Sequence, residues 1–252
     1  MKQSIRHQKI VDLVTQKGYV STEDLVALLG VSSPTIRRDL NELAEKNIIR
    51  RHHGGAALLS SSENSDYIER KNFFLKGKNC IAQKVASLIP NGSSLFIDIG
   101  TTPEAVAEAL LNHQNLRIVT NNINAAYILM KNETFDIILA GGSLRQDGGI
   151  IGEATIAFIA QFRLDFGILG ISSIDLDGSL LDYDYHEVQV KRAIIESSRE
   201  TFLVTDHSKF IRRAMVRLGA ITDVHNVVTD ALPPEPIIDI LREKHVKLHV
   251  CE

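Results

Sequence analysis

Two sets of residues in this 252-residue chain have types and spacings that could do chemistry. The first begins with Leu95-Phe-Ile-Asp-Ile-Gly-Thr-Thr-Pro-Glu. An apolar run reaches Asp98 and Ile99, Gly100 permits a tight turn, and Thr101 or Thr102 can cap a helix carrying Pro103 in its first turn. The mouth of such a helix offers free N–H groups, hydroxyl donors and a positive dipole end, which suits an anion. Three more polar stretches follow apolar runs in the same way: Thr120-Asn121-Asn122, Gly141-Gly142-Ser143 and Asp206-His-Ser-Lys209-Phe. Each taken alone is better explained as a well-capped connection. Together they describe a site for a small phosphorylated ligand, with Lys191, Arg192 and Lys209 as candidate countercharges. In Tyr185-His-Glu-Val-Gln-Val-Lys-Arg, His186, Glu187 and Lys191 fall within about one helical turn of each other. That is either an acid–base constellation or an ordinary i,i+4 pair between Glu187 and Lys191.

The second set lies near the N-terminus, in Ser32-Ser33-Pro-Thr35-Ile-Arg37-Arg38-Asp-Leu-Asn41. At about 100° per residue, Leu40 and Leu43 fall within about 40° of Ile36 and form a core stripe. Arg37, Arg38 and Asn41 then fall on the opposite side, with Thr35 on the other shoulder. Guanidinium, amide and hydroxyl groups suit guanine edges, adenine edges and phosphates. The alternative is a solvated face in which the arginines balance Asp39, Glu42 and Glu45. Arg50, Arg51, His52 and His53 stand just before Gly54-Gly55, and four such residues before a turn make a basic wing able to lie along a nucleic-acid backbone.

These residues need elements to hold them. Residues 10–14, 21–29 and 33–43 have the apolar spacing of three short helices, the second opened by Ser21 with Asp24 and lined by Leu25, Leu28 and Leu29. Residues 48–57 read as a hairpin turning at Gly-Gly. Two short helices joined by Gly30-Val-Ser have the proportions of a helix-turn-helix. Leu58-Leu-Ser-Ser-Ser-Glu-Asn-Ser-Asp is polar and serine-rich, as a linker would be. Residues 67–89 return to helical spacing. Seven β-rich runs follow, at 94–99, 117–120, 135–140, 166–171, 201–205, 226–229 and 247–250, with helical stretches between several of them. Strands alternating with helices mean a mostly parallel sheet covered on both faces. The expected domains are therefore 1–57 (helix-turn-helix about 20–39, wing about 48–57), a linker at 58–66, and an α/β domain at 67–252.

Net charge sharpens this division. The whole chain carries −3 and is 44% hydrophobic, which excludes a disordered tail protein, a fibrous chain and a wholly basic nucleic-acid coat. Residues 1–57 hold nine Lys/Arg against six Asp/Glu, a net +3, and the remainder carries −6. A basic head on an acidic body is the pattern of a polyanion-binding module joined to something else. Cys80 and Cys251 are far apart with no histidine cluster beside either, so neither a disulfide framework nor a metal site is expected. No signal peptide or membrane-length apolar run is present, and a cytoplasmic protein is expected.

The residues also carry a resemblance. Val20-Ser-Thr-Glu-Asp-Leu, Val31-Ser-Ser-Pro-Thr-Ile-Arg-Arg-Asp-Leu-Asn-Glu-Leu and Arg51-His-His-Gly-Gly-Ala resemble the winged helix of DeoR-type bacterial repressors. Phe96-Ile-Asp-Ile-Gly-Thr-Thr, Leu139-Ala-Gly-Gly, Val188-Gln-Val-Lys-Arg-Ala-Ile and Asp206-His-Ser-Lys-Phe are similar to that family's sensor domain. The resemblance implies an N-terminal winged helix-turn-helix and a C-terminal Rossmann-like α/β sensor domain, similar to ribose-5-phosphate isomerase, glucosamine-6-phosphate deaminase and CoA-transferase folds. It implies a non-enzymatic, cofactor-free transcriptional repressor, a homo-oligomer (tetramer or dimer) bound to operator double-stranded DNA. Its effector would be a phosphorylated sugar or polyol, with sn-glycerol 3-phosphate and the genes of its metabolism as the expected case. The DNA surface would then comprise Ser33, Thr35, Arg37, Arg38, Asn41, Arg50, Arg51, His53 and Gly54. The effector site would comprise Asp98, Gly100, Thr101, Thr102, Asn121, Gly142, Lys191 and Lys209. The chain departs from the family at Lys76-Gly77-Lys78, where Glu-Lys is commoner. A sugar-phosphate isomerase with a fused DNA-binding head, or a repressor answering to another sugar phosphate, remains open at this level.

Overall fold

Short amphipathic helices must bury one stripe each, and in the N-terminal part of the chain they do so against a small sheet. A computed structural model describes residues 2–17, 19–46, 48–52, 54–57 and 67–251. The expected linker, 58–66, and His53 lie outside the described residues. The chain divides into two compact units, residues 1–65 and 66–252.

The first unit runs α1 (Gln3–Lys17), β1 (Tyr19–Ser21), α2 (Thr22–Leu29), α3 (Ser33–Glu45), β2 (Arg50–His52) and β3 (Gly55–Ala57). Ile10, Val14, Leu25, Ile36, Leu40, Leu43 and Ile49 form its core. Helix α2 starts as its sequence asks: Ser21 Oγ accepts from the Asp24 N–H at 3.0 Å and donates to the Asp24 carboxylate at 2.7 Å. Gly30, at φ 64°, ends it and returns its N–H to Val26. One reading needs correction, since Leu28 is 55% exposed. The stripe of α2 is centred on Thr22, Leu25 and Leu29, and Leu28 falls about a quarter-turn off that centre.

The wing is three-stranded, in the order β1-β3-β2, all antiparallel. Strand β1 has only three residues, too few to show alternation in the sequence. The paired glycines serve different needs. Gly54 has φ 84°, a left-handed conformation. Gly55 lies where a Cβ would sit 2.4 Å from the Val20 carbonyl oxygen, so β3 can approach β1 only without a side chain there.

The second unit begins with α4 (Tyr67–Asn72) and α5 (Leu75–Leu88), separated at Phe74, whose φ is 53°. Then come β4 (Ser94–Ile97), α6 (Thr101–Ala109), β5 (Arg117–Thr120), α7 (Ile123–Leu129) and β6 (Asp136–Leu139). A ribbon, β7 (Ser143–Leu144) and β8 (Ile150–Ile151), leads to α8 (Glu153–Ile159) and β9 (Leu164–Gly170). Next are β10 (Ser173–Ile174), β11 (Ser179–Asp182), α9 (Tyr185–Ser197), β12 (Ser198–Thr205) and β13 (Val216–Ala220). Strand β14 (Asn226–Thr229), α10 (Glu235–Glu243) and β15 (Lys247–Val250) close the chain.

All seven apolar runs become strands of one parallel sheet, ordered β15-β14-β12-β9-β4-β5-β6. Alternate residues bury into opposite layers. Leu95 and Ile97 of β4 join one core with Ile81, Val106 and Leu129, while Phe96 joins the other with Ile159, Val188 and Ile194. Strand β4 starts in the middle, the chain moves out to β6, then returns to place β9 on the other side of β4. A topological switch point therefore lies between β4 and β9, where open parallel sheets form their ligand crevice. Strands β10, β11 and β13 form a separate antiparallel sheet. Cys80 and Cys251, remote in sequence, pack in one core layer and are unbridged. Burial, reinforced by a hydrogen bond with Cys80, pushes the Cys251 thiol up to about 12.

Gly55→Ala puts a methyl into the Val20 backbone. It should lower the stability of the first unit by about 1–3 kcal/mol and weaken DNA binding through the displaced wing. Unfolding of the isolated unit checks this, and an unchanged midpoint would contradict the close approach.

Candidate functional site

Helix α3 shows the two faces its wheel requires. Ile36, Leu40 and Leu43 are buried, while Arg37, Arg38 and Asn41 are exposed. Ser33 and Thr35 are half-buried in its first turn, where no acidic residue opposes the dipole. Arg38 donates to Glu42 at 3.0 Å, but its side chain is 78% exposed. An exposed i,i+4 pair contributes only about 0.3–0.5 kcal/mol, too little to keep a guanidinium from a better acceptor. Asp39 takes no part in balancing Arg37 and Arg38. It is buried and accepts from Arg6 and from His7 of α1, at 2.9 Å and 3.1 Å for its Oδ1. Burial would raise its carboxyl, yet the hydrogen bonds from Arg6 and His7 outweigh that and hold it below the usual carboxylate range. In the wing, Arg50 and Gly54 are exposed and Arg51 is half-buried, with a guanidinium nitrogen shut from water and unpartnered.

The second site is the crevice at the switch point. It is lined by Ile99–Pro103 from the end of β4, Gly170–Ser172 from the end of β9, and Val204 and Lys209 from β12 and the turn after it, with Glu187, Lys191 and Arg70. Its free space for water-sized molecules is about 30 Å³, about one water's share of liquid volume. Gly100, Thr101, Thr102, Lys191 and Lys209 are thus brought together as expected. Gly100, at φ 131°, precedes α6 and turns the chain from the strand into the helix mouth.

At one end of the crevice the Lys191 ammonium is 1% exposed and ringed by carboxylates. Asp182 of β11 lies at 2.6 Å, Glu187 one turn away on α9 at 2.7 Å, and Asp98 at 3.6 Å. Burial would lower the lysine, but Asp182, Glu187 and Asp98 together raise it above the ordinary range. The Glu187–Lys191 pair is therefore a buried ion pair. His186 is exposed and stacks edge-on to Tyr185, outside any acid–base arrangement. Arg145, between β7 and β8, closes the ring from outside by donating to Asp184 at 2.8 Å and Glu187 at 2.9 Å. Asp98 is fully buried, and neither carboxylate oxygen has a hydrogen-bond partner. Burial pushes it up to about 7, with Lys191 opposing.

At the other end the charges are positive. Burial lowers Lys209 to about 7, and repulsion from Arg212 adds to this. Burial likewise takes Lys78 of α5 down to about 8. Arg212 is 5% exposed, and its buried Nε has no partner. The carboxylate among them, Asp206, is itself bonded by the Ser208 N–H at 3.0 Å and the Ser208 hydroxyl. Next to the crevice lie two buried groups without hydrogen-bond partners, the Asp98 carboxylate and the Arg212 Nε.

Some expected residues sit elsewhere. Asn121 is buried and ties β5 to β8 through Ile150, its amide donating at 3.1 Å, with Oδ1 left unpartnered. Gly142 lies outside the crevice lining, where a Cβ would come within 2.1 Å of Thr155 Oγ1. Arg192 binds the carbonyls of Arg217 and Leu218 on β13, away from any ligand. Among the described residues no group of three or more His, Cys, Asp or Glu could hold a metal ion.

Residues 6–62 match the DeoR-like helix-turn-helix domain and residues 74–231 the DeoR C terminal sensor domain. The chain belongs to the DeoR family. It is 71% identical over 251 residues to the glycerol-3-phosphate regulon repressor of Haemophilus influenzae, covering 100% of this chain and 98% of that protein. It is 65% identical to the repressor of the same name from Escherichia coli, over 100% of both. A solved ribose 5 phosphate isomerase A from Neisseria gonorrhoeae aligns with a TM-score of 0.39 and 16% identity, over 54% of this chain and 53% of that one. That likeness is too slight to carry function.

In this DeoR-family chain, Arg70, Lys78, Asp182 and Arg212 belong to the crevice neighbourhood but were not evident from sequence. One signal existed: Gly77 sits inside a helix, and a Cβ there would meet Asp230 at 2.3 Å, so α5 is pressed against the strand ends.

The three shifted groups fix a pH dependence. Unfolded Asp98 ionises near 3.8 but the folded carboxyl holds its proton to about 7, so this group lowers stability as pH rises across that interval. Folded Lys209 and Lys78 lose protons near 7 and 8 rather than 10.5, so their destabilisation is full below those values and fades above them. Their joint cost is greatest near neutrality. Asp98→Asn should therefore stabilise the second unit by about 1–3 kcal/mol at pH 7 and by almost nothing at pH 4. Urea unfolding at the two pH values reads the difference, and equal effects at both would refute the assigned shift.

Proposed function

We propose that this protein is a transcriptional repressor of glycerol-3-phosphate metabolism genes, released from its operators by sn-glycerol 3-phosphate. The single observation carrying the reading is 71% identity, end to end, to a glycerol-3-phosphate regulon repressor. The geometry supports it in two places. Arg37, Arg38 and Asn41 on the solvent face of α3, with Ser33 and Thr35 at its N-terminus, have the chemistry to read a major groove. Arg50, Arg51, His53 and Gly54 of the wing would lie along the adjoining backbone.

The crevice suits the effector. Thr101, Thr102, Gly100 and Lys209 would receive a phosphate, and Asp98, Asn121 and Lys191 would face the hydroxyls of a short polyol. Gly142 would contribute only by holding its loop. We take the ligand to rearrange the lining, whose free space is about 30 Å³. Effector binding would then favour the rearranged state over the DNA-binding state, and release follows from that difference in affinity. Two-fold operators require at least a dimer. Tyr127 of α7, Met130 just after it, Leu139 of β6 and Leu144 of β7 are exposed and would serve self-association in a dimer or tetramer. No helix among the described residues is long and apolar enough to cross a membrane, consistent with a regulator working in the cytoplasm beside its DNA. Measured turnover of phosphorylated aldoses and ketoses that Lys191→Ala abolishes would favour the isomerase alternative.

Arg38→Ala should weaken operator binding by about 1–3 kcal/mol and narrow the margin over random DNA. Equal loss on both DNAs in a titration would leave only a phosphate contact. The double change Thr101→Ala with Thr102→Ala should raise at least tenfold the sn-glycerol 3-phosphate concentration needed to release operator. Unaltered release would remove the helix mouth from the effector site. A melting-temperature screen against other sugar phosphates decides the effector's identity, since ligands of the native state raise it.

A further inference from the structure

The helices that open the second unit had no assigned role in the effector reading, yet one of their residues faces the crevice. Arg70 of α4 lines it with Thr101, Thr102, Ser172, Lys191 and Lys209. Lys78 of α5 is 4% exposed and donates its ammonium to the Arg70 carbonyl, and the Thr101 hydroxyl donates to that same oxygen at 3.4 Å. Polar groups attach α4 to the rest of the unit: Tyr67 donates to Glu104 at 2.8 Å, Asn124 donates to Tyr67 at 3.0 Å, and Arg70 pairs with Asp147 at 3.5 Å.

We infer that the α4–α5 arm is part of the ligand site: Arg70, positioned by Lys78, takes the phosphate of a small phosphate monoester together with Lys209, so that ligand binding fastens the arm. The inference rests on the crevice being the effector site. A lysine buried for structure is surrounded by carboxylates, as Lys191 is, and is held charged by them. Burial lowers Lys78 and Lys209, which share one near carboxylate, Asp206 (with Glu104 also acting on Lys78), against the two cations Arg70 and Arg212. The unpartnered Nε of Arg212 adds a buried donor in the same neighbourhood. A doubly charged phosphate supplies the missing negative charge and the acceptor oxygens, and a guanidinium matches its geometry in a way no single ammonium does. The arm is also where the second unit starts, directly after residue 66. Occupancy of the crevice is thereby registered by the first helix beyond the DNA-binding unit.

Titration calorimetry on the full chain, with sn-glycerol 3-phosphate and with inorganic phosphate as probes, tests this alongside hydrogen exchange over residues 67–80. In the wild type, sn-glycerol 3-phosphate should slow exchange across the arm. Arg70→Met and Lys78→Met should each raise its Kd at least tenfold and abolish the slowing. Lys78→Met should leave the ligand-free melting temperature equal or higher, because burial disfavours the charge it removes; a fall would mark Lys78 as structural and overturn its positioning role. Ligand affinity within twofold of wild type in Arg70→Met, or exchange in the arm indifferent to ligand, overturns the inference while leaving the effector standing. If the wild type binds inorganic phosphate but not sn-glycerol 3-phosphate, and Arg70→Met loses the phosphate, the effector's identity falls and the arm's role holds. If the wild type binds neither, both fall.

Discussion

The second unit depends on a single ammonium. Lys191 draws together the end of β4 through Asp98, the end of β11 through Asp182, and its own helix through Glu187. The end of β4 is thereby held to a stretch of chain more than eighty residues further on, at one point of the sheet's carboxyl edge. The arrangement is costly, since three carboxylates and one lysine have left water for it. Arg145 offsets part of the surplus negative charge from the β7–β8 ribbon. What the ring provides is a fixed wall beside the mouth of α6.

Charge is separated along that crevice. Beside it the Asp98 carboxylate is buried without a hydrogen-bond donor, and Lys209 and Arg212 share one near carboxylate, Asp206. Each half alone looks like a defect of packing. Under the proposed effector reading, they would meet a molecule with an anionic head and a hydroxylated tail. The fold carries both beside two apolar layers, one on either face of the sheet.

Sequence made some of this legible and hid the rest, for identifiable reasons. The seven strands were readable because a parallel sheet buried on both faces leaves continuous apolar runs. Helix α3 was readable because Ile36, Leu40 and Leu43 keep helical spacing against exposed arginines. Strands β1, β7, β8 and β10 have two or three residues each, below the length at which any period exists. Gly100, Thr101 and Thr102 could be named because a strand, a glycine and a helix cap follow each other directly. Arg70, Lys78 and Arg212 could not, because their meeting depends on how α5 packs over the sheet and on the turn after β12. Polar loops were a weaker guide: Gly142 and Arg192 looked like ligand residues and are accounted for by close packing and by backbone carbonyls.

The ion pair between Arg6 and Asp39 bears on how the head domain would answer to salt. Protein–DNA affinity falls with ionic strength in proportion to the number of phosphates whose counterions are displaced, about 0.9 per contact in the logarithmic slope. Nine basic residues in the first 57 suggest a steep dependence. Arg6, however, is turned inward and neutralised by a carboxylate of the recognition helix, so it can displace no counterion. The domain has traded one long-range attraction for the fixed angle between α1 and α3. Such a head would find DNA somewhat less eagerly than its composition implies, and would keep more of its grip when cellular salt rises.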